Sequence, residues 1–135
     1  MTRSARNFLD TNILIYAFAD EARTEKAQSL LAEPFVVSVQ ALSEFANVSR
    51  KKLGVPWMDI QEAIKTIVKL SATIVPIDEK MTLAALVLAE RYKFPFYDAL
   101  MVAAALEANC ERFYSEDLHH GLLVEMHLTV TNPFR

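Results

Sequence analysis

Glycine stands at only two of the 135 positions, Gly54 and Gly121. That scarcity excludes the glycine-rich loops that cradle nucleotide phosphates, and no Gly-x-Ser-x-Gly turn presents a hydrolase serine. Cysteine is scarcer still. Cys110 is the only one, so no intramolecular disulfide can form, and its apolar helical setting marks a small buried hydrophobe. His119, His120 and His127 lack the i, i+4 spacing of a helical zinc site and are joined by no cysteine cluster. Surface or capping positions are expected for all three. Long hydrophobic stretches are missing too: the longest unbroken one, Ala99 to Leu106, is far short of a bilayer span. Met1 to Leu9 holds two arginines and no signal-like apolar core, so a cytoplasmic chain with no membrane role is expected. Nor is there an excess of positive charge. With 14 Lys and Arg against 17 Asp and Glu, the net charge is −3, and any grip on nucleic acid must rest on local patches or bound metal. Arg50-Lys51-Lys52, the only cationic run, reads as a solvated helix end.

What the chain has is apolar material, 53% of it, spread over the whole length without repeats or a linker. One domain over residues 1–135 is expected. Asn7 to Leu9 reads as a short strand ending in Asp10, followed by a helix from Ile13 to Phe18 that Asp10 or Thr11 can cap. A helix over Thr24 to Ala32 stops at Pro34. Phe35 to Ser38 has strand composition, and Val39 to Leu53 has helical spacing that ends at Gly54. Trp57 to Leu70 places Trp57, Ile60, Ile64, Ile67 and Val68 on one helical side. Thr73 to Val75 is a strand, Asp78 caps a helix to Tyr92, and Pro95 opens another to about Asn109. Arg112 to Ser115 and Leu128 to Thr131 complete the strands. Strands separated by helices predict an α/β fold with a parallel sheet covered on both faces, and ligand sites in such sheets lie beyond the strands' carboxyl ends.

Acids recur at that edge. Asp10 follows the first strand, where a helix cap explains it as well as a ligand does. Glu44 lies on the border between the apolar side of its helix and the polar side formed by Gln40, Asn47 and Lys51; alone it is an ordinary solvated glutamate. Asp98 is sharper. The helix it opens is apolar all round, and the helix dipole is too weak to hold a desolvated carboxylate, so something cationic is expected beside it. Glu116 and Asp117 come just after the strand that begins at Arg112. If Asp10, Glu44, Asp98 and Asp117 share one edge, their repulsion is severe: a like-charged pair about 4 Å apart costs about 4 kcal/mol at an effective dielectric near 20. An all-oxygen cluster of this kind suits Mg²⁺ or Mn²⁺. A receiver domain also places acids at strand ends, but it needs a paired acid near the first strand and a late lysine; Asp10 is followed by Thr-Asn, and Lys80 is misplaced.

Four segments carry a resemblance to one family. Phe8-Leu9-Asp10-Thr11-Asn12-Ile13-Leu14-Ile15-Tyr16, Gln40-Ala41-Leu42-Ser43-Glu44-Phe45, Phe96-Tyr97-Asp98-Ala99-Leu100, and Tyr114-Ser115-Glu116-Asp117-Leu118 with Gly121 resemble, in order and spacing, the motifs of PIN-domain nucleases of the VapC toxin type. The resemblance covers essentially the entire chain. It implies an α/β/α sandwich, Mg²⁺- or Mn²⁺-dependent hydrolysis of RNA by a metal-activated water, a homodimer, and neutralisation by a small antitoxin protein. By position, Asp10, Glu44, Asp98 and Asp117 match the family's catalytic and metal-holding acids. Thr11, Asn12 and Ser115 would be supporting polar residues, and Glu116 an additional acid. Pro95 departs from the pattern, since relatives often carry serine there, which affects how that helix begins without removing a carboxylate. Two alternatives stay open: a nuclease of this fold acting in RNA processing outside a toxin pair, and a metal-free module of the same fold that only binds.

Overall fold

A computed structural model describes residues 6–135. Most of the N-terminal stretch read for a signal, Met1 to Leu9, therefore lies outside the described residues. The elements alternate as expected. Strand β1 (Asn7–Leu9) leads into α1 (Thr11–Ala17) and α2 (Thr24–Leu31); β2 (Phe35–Ser38) leads into α3 (Val39–Lys51) and α4 (Trp57–Leu70). Then come β3 (Thr73–Val75), α5 (Glu79–Tyr92), α6 (Phe96–Glu107), β4 (Arg112–Tyr114), β5 (Leu123–Val124) and β6 (Leu128–Thr131).

The six strands form one sheet in the order β3-β2-β1-β4-β6-β5. All neighbours pair in parallel except the last, where β5 runs antiparallel to β6. The expectation of a parallel sheet therefore holds for five strands, and the sixth corrects it. Two residues of β5 are too few to show any alternation. Helices α1, α2, α3 and α4 pack on one another as one layer, and α5 packs on α6 as the other, which gives an α/β/α sandwich.

Strands β1 and β2 are buried along their whole length, as strands covered on both faces require. Phe8 and Phe113, on neighbouring strands, stack with ring centroids 5.4 Å apart. Helix α6 buries every residue from Ala99 to Ala105, which accounts for its lack of a polar side. Cys110 is buried, and desolvation pushes its thiol up to about 12, so it packs as a small hydrophobe. Helix α4 is rotated from the expected register. Ile60 and Ile67 are buried, whereas Trp57 and Val68 are exposed, and the guanidinium of Arg50 lies 4.7 Å from the Trp57 ring centroid. Gln40, read as part of the polar side of α3, is buried. The three histidines are exposed, and His120 has a capping role: its Nδ1 accepts from the Asn132 amide at 2.9 Å. Among the described residues no helix is long and apolar enough to cross a membrane.

Asp78 caps α5 as expected, its Oδ1 accepting from the Met81 amide at 2.9 Å. Asp78→Ala leaves that amide without its partner and should cost about 1 kcal/mol of stability. Denaturant titration checks this; an unchanged midpoint would show that the cap contributes nothing.

Candidate active site

Strand register builds the site. Leu9 lies opposite Tyr114 in the parallel β1–β4 pair, so Asp10 and Ser115 leave the sheet side by side, with the Asp10 amide donating to the Tyr114 carbonyl at 3.0 Å. Asp10 caps α1: its Oδ1 accepts from the Thr11 amide at 2.7 Å, and its Oδ2 accepts from the Ser115 hydroxyl at 2.8 Å. The same Ser115 oxygen accepts from the Asp117 amide at 3.1 Å, which ties the loop bearing the last acid to the first. Asn12, on the first turn of α1, donates from Nδ2 to Asp117 Oδ2 at 3.2 Å.

Glu44 reaches the site from α3, whose start is fixed by Ser38 accepting from the Ala41 amide at 3.2 Å. Thr11 Oγ1 donates to Glu44 Oε2 at 2.7 Å, and Gln40 Nε2 donates to Glu44 Oε1 at 2.8 Å. Gln40 also donates to the Tyr97 carbonyl at 3.0 Å, so the buried amide joins α3 to the first turn of α6, next to Asp98. Both its partners are acceptors, which fixes Nε2 as the donating end and leaves Oε1 buried without a partner. Asp98 itself is half-buried where the dipole of α6 favours a negative group.

The four acids share one electrostatic environment. Burial pushes the Asp10 carboxyl up to about 7; the hydrogen bonds from Ser115 and Thr11 pull it down, and the charges of Asp98 and Asp117 push it further up. Asp98 is raised by burial and then by the charges of Asp117 and Glu44. Asp117 is an exposed residue at the rim, yet partial burial of its carboxyl, followed by the charges of Glu116 and Glu44, raises it too. Among the described residues, no lysine or arginine forms an ion pair with any of the four. The cation expected beside Asp98 is thus not supplied by a side chain of the described chain.

As the side chains stand, no three Asp, Glu, His or Cys groups among the described residues form a cluster able to hold a metal ion. Hydrogen bonds hold Glu44 toward Thr11 and Gln40, and Asp117 toward Asn12. The donor chemistry nevertheless fits a hard divalent cation: every candidate ligand is a carboxylate oxygen, and the most deeply placed one, Asp10, is paired with no cationic side chain among the described residues. Glu116 differs from the four. Its oxygens accept from Tyr16 and Arg23, so it is paired away from them. Sequence reading singled out neither Gln40 nor Arg23. The i, i+4 spacing of Gln40 and Glu44 was the available signal for the first; for the second there was none.

The class this arrangement defines is an α/β protein with acids gathered at the carboxyl edge of a mostly parallel sheet. Residues 8–121 match the PIN domain family, and the chain belongs to it. No curated protein sequence matches significantly. Among solved structures, the chain is similar to a toxin–antitoxin complex from Klebsiella pneumoniae, with a TM-score of 0.70 at 22% identity over 96% of this chain and 98% of that one. It is also similar to Mycobacterium tuberculosis VapC20, a toxin that cleaves the sarcin–ricin loop, with a TM-score of 0.66 at 20% identity over 82% of this chain and 89% of the other. A third likeness is to VapBC2 from Rickettsia felis bound to a DNA fragment from its promoter, with a TM-score of 0.59 at 18% identity over 82% and 87%. The fold is therefore that of VapC-type PIN proteins.

Proposed function

We propose that this chain is a metal-dependent endoribonuclease and the toxin of a toxin–antitoxin pair. One observation carries the reading: Asp10 is buried, raised to about 7 and, among the described residues, without a cationic partner, within range of the charges of Asp98 and Asp117. A chain that kept such a group only for structure would gain by replacing it, since a buried unpaired charge costs several kcal/mol.

Asp10, Asp98 and Asp117 would hold Mg²⁺ or Mn²⁺, with Glu44 completing the set. Such an ion neutralises the acids, acidifies water and stabilises the charge that builds on a phosphoryl group. The chain's own residues do the rest. Ser115 and the Thr11 amide fix both oxygens of Asp10, Thr11 and Gln40 aim Glu44, and Asn12 steadies Asp117. No side chain serves as nucleophile; water hydrolyses the RNA phosphodiester and leaves a 5′-phosphate. The partners we propose are a small antitoxin, a reading supported by the likeness to the Klebsiella toxin–antitoxin complex, and a second copy of the chain. The exposed Leu83, Leu86 and Val87 of α5 are compatible with such contacts.

Labelled single-stranded RNA incubated with the purified chain and Mn²⁺ tests this. Cleavage should stop with excess EDTA, by at least roughly a hundredfold, and return when Mn²⁺ is restored in excess. Cutting that persists in EDTA would sink the proposal. A metal-free binding module is the second reading, favoured by the absence of a closed ligand cluster among the described residues. Calorimetry with Mn²⁺ separates the two, since a scaffold takes up none.

A further inference from the structure

Three consecutive residues after β4 are each fastened to the start of the chain by a different group. Ser115 donates to Asp10, and Asp117 accepts from Asn12 at 3.2 Å. Between them, Glu116 has partners of its own: Tyr16 donates its hydroxyl to Oε1, and Arg23 Nη1 donates to Oε2 at 3.3 Å. Asn12 and Tyr16 are one turn apart on α1, so a single helix face grips neighbouring residues of the loop.

Arg23 is itself held on several sides. Its Nε and Nη2 donate to the two carboxylate oxygens of Glu21 at 2.6 and 3.0 Å, and Nη1 donates to the Tyr16 hydroxyl at 2.8 Å. The guanidinium carbon sits 3.9 Å from the Tyr16 ring centroid, and Phe134 packs edge-on against the same ring at 5.4 Å. A planar fork used for carboxylate pairing and aromatic stacking at once leaves little freedom. A solvated loop glutamate needs none of this.

We infer that Tyr16 and Arg23 are positioning residues: by clamping Glu116, they hold Asp117 facing Asp10 and Asp98. The inference rests on the proposed metal role of those acids. It also gives Glu116 a different task from the additional acid expected in the sequence, since Tyr16 and Arg23 occupy its two carboxylate oxygens. Neither Tyr16 nor Arg23 touches the ion or the RNA in this scheme.

Mn²⁺ titration calorimetry on the full chain tests it. Tyr16→Phe keeps the ring and its packing; Arg23→Gln removes the charge and the fork. Each should weaken Mn²⁺ binding roughly tenfold, the lower end of what losing an outer partner of a metal ligand costs. The decisive arm is the Asp117→Asn background, where Tyr16→Phe should weaken Mn²⁺ no further, because the group it positions is gone. Merely structural damage would persist in both backgrounds. Unchanged Mn²⁺ affinity in both single variants, or an equal loss with and without Asp117, overturns the clamp. Absence of Mn²⁺ binding by the parent overturns the metal reading first and the clamp with it. If Tyr16→Phe does not fold, as judged by circular dichroism, Arg23→Gln in both backgrounds carries the same comparison.

Discussion

Asp10→Asn should lower RNA cleavage at least roughly a hundredfold while raising the melting temperature of the metal-free protein. The two effects have one cause. Asparagine preserves the shape of the cap and can still accept from the Thr11 amide, the contact that Oδ1 makes at 2.7 Å. It removes the charge that burial penalises and that would bind the cation. Loss of activity by unfolding moves both quantities down together, so opposite signs distinguish a ligand from a structural residue. Asp98→Asn should show the same loss of cleavage, because Asp98 too is raised by burial and by the charges of Asp117 and Glu44. Steady-state cleavage and thermal melting of the two variants are the measurements. Undiminished cutting by a folded Asp98→Asn protein removes these acids from the mechanism.

The second large effect is a pH dependence whose direction differs from that of an ordinary ion-paired carboxylate. The Asp10 carboxyl ionises near 7 in the folded chain, against 3.8 in its ordinary state. Between those values the folded chain binds more protons than the unfolded one, so stability falls as pH rises from about 4 to about 7 and stays low above that. The whole difference is on the order of 4 kcal/mol, and a melting temperature lower by roughly 10 °C at pH 8 than at pH 5 is expected without metal. Asp98 and Asp117 are displaced upward as well and add to the same trend. Mn²⁺ should offset much of it. At 100 times its dissociation constant a ligand stabilises by about 2.7 kcal/mol, and protons compete for the same oxygens, so the gain belongs to pH 8 and vanishes near pH 5. Comparison with Asp10→Asn isolates the group: the parent's extra fall between pH 5 and pH 8 should disappear in the variant. Parallel curves for the two proteins would show that Asp10 does not ionise in this window.

Much of this was visible in the residues because strand ends are short-range features. Asp10 terminates an apolar triplet and Asp117 comes just after another, so once β1 and β4 pair in parallel their proximity follows from the register. Asp98 stood out because the residues after it are uniformly apolar, and the structure buries Ala99 to Ala105 as that implies. Glu44 needed the fold: its helix begins where β2 ends, and only the β1–β2 pairing brings it to Thr11. Other features had no local signature. Gln40 was read as solvated because its helical position matched Asn47 and Lys51, yet the approach of α6 covers it and recruits its amide. The Tyr16, Arg23 and Glu116 contacts join residues about a hundred positions apart in sequence, and no periodicity records such a meeting. Trp57 misled for the opposite reason, since a large aromatic at helical spacing suggests a core position, whereas it lies outside and stacks with Arg50.

The sheet's two outer strands, β3 with three residues and β5 with two, bear on how copies of the chain can meet. Growth of a sheet from one molecule into the next requires a row of free amides and carbonyls long enough to template a new partner, and strands this short offer almost none. Self-assembly by backbone recruitment is thereby blocked at both borders. A second copy of this chain would then meet it through side chains, where their identity rather than main-chain geometry decides the fit.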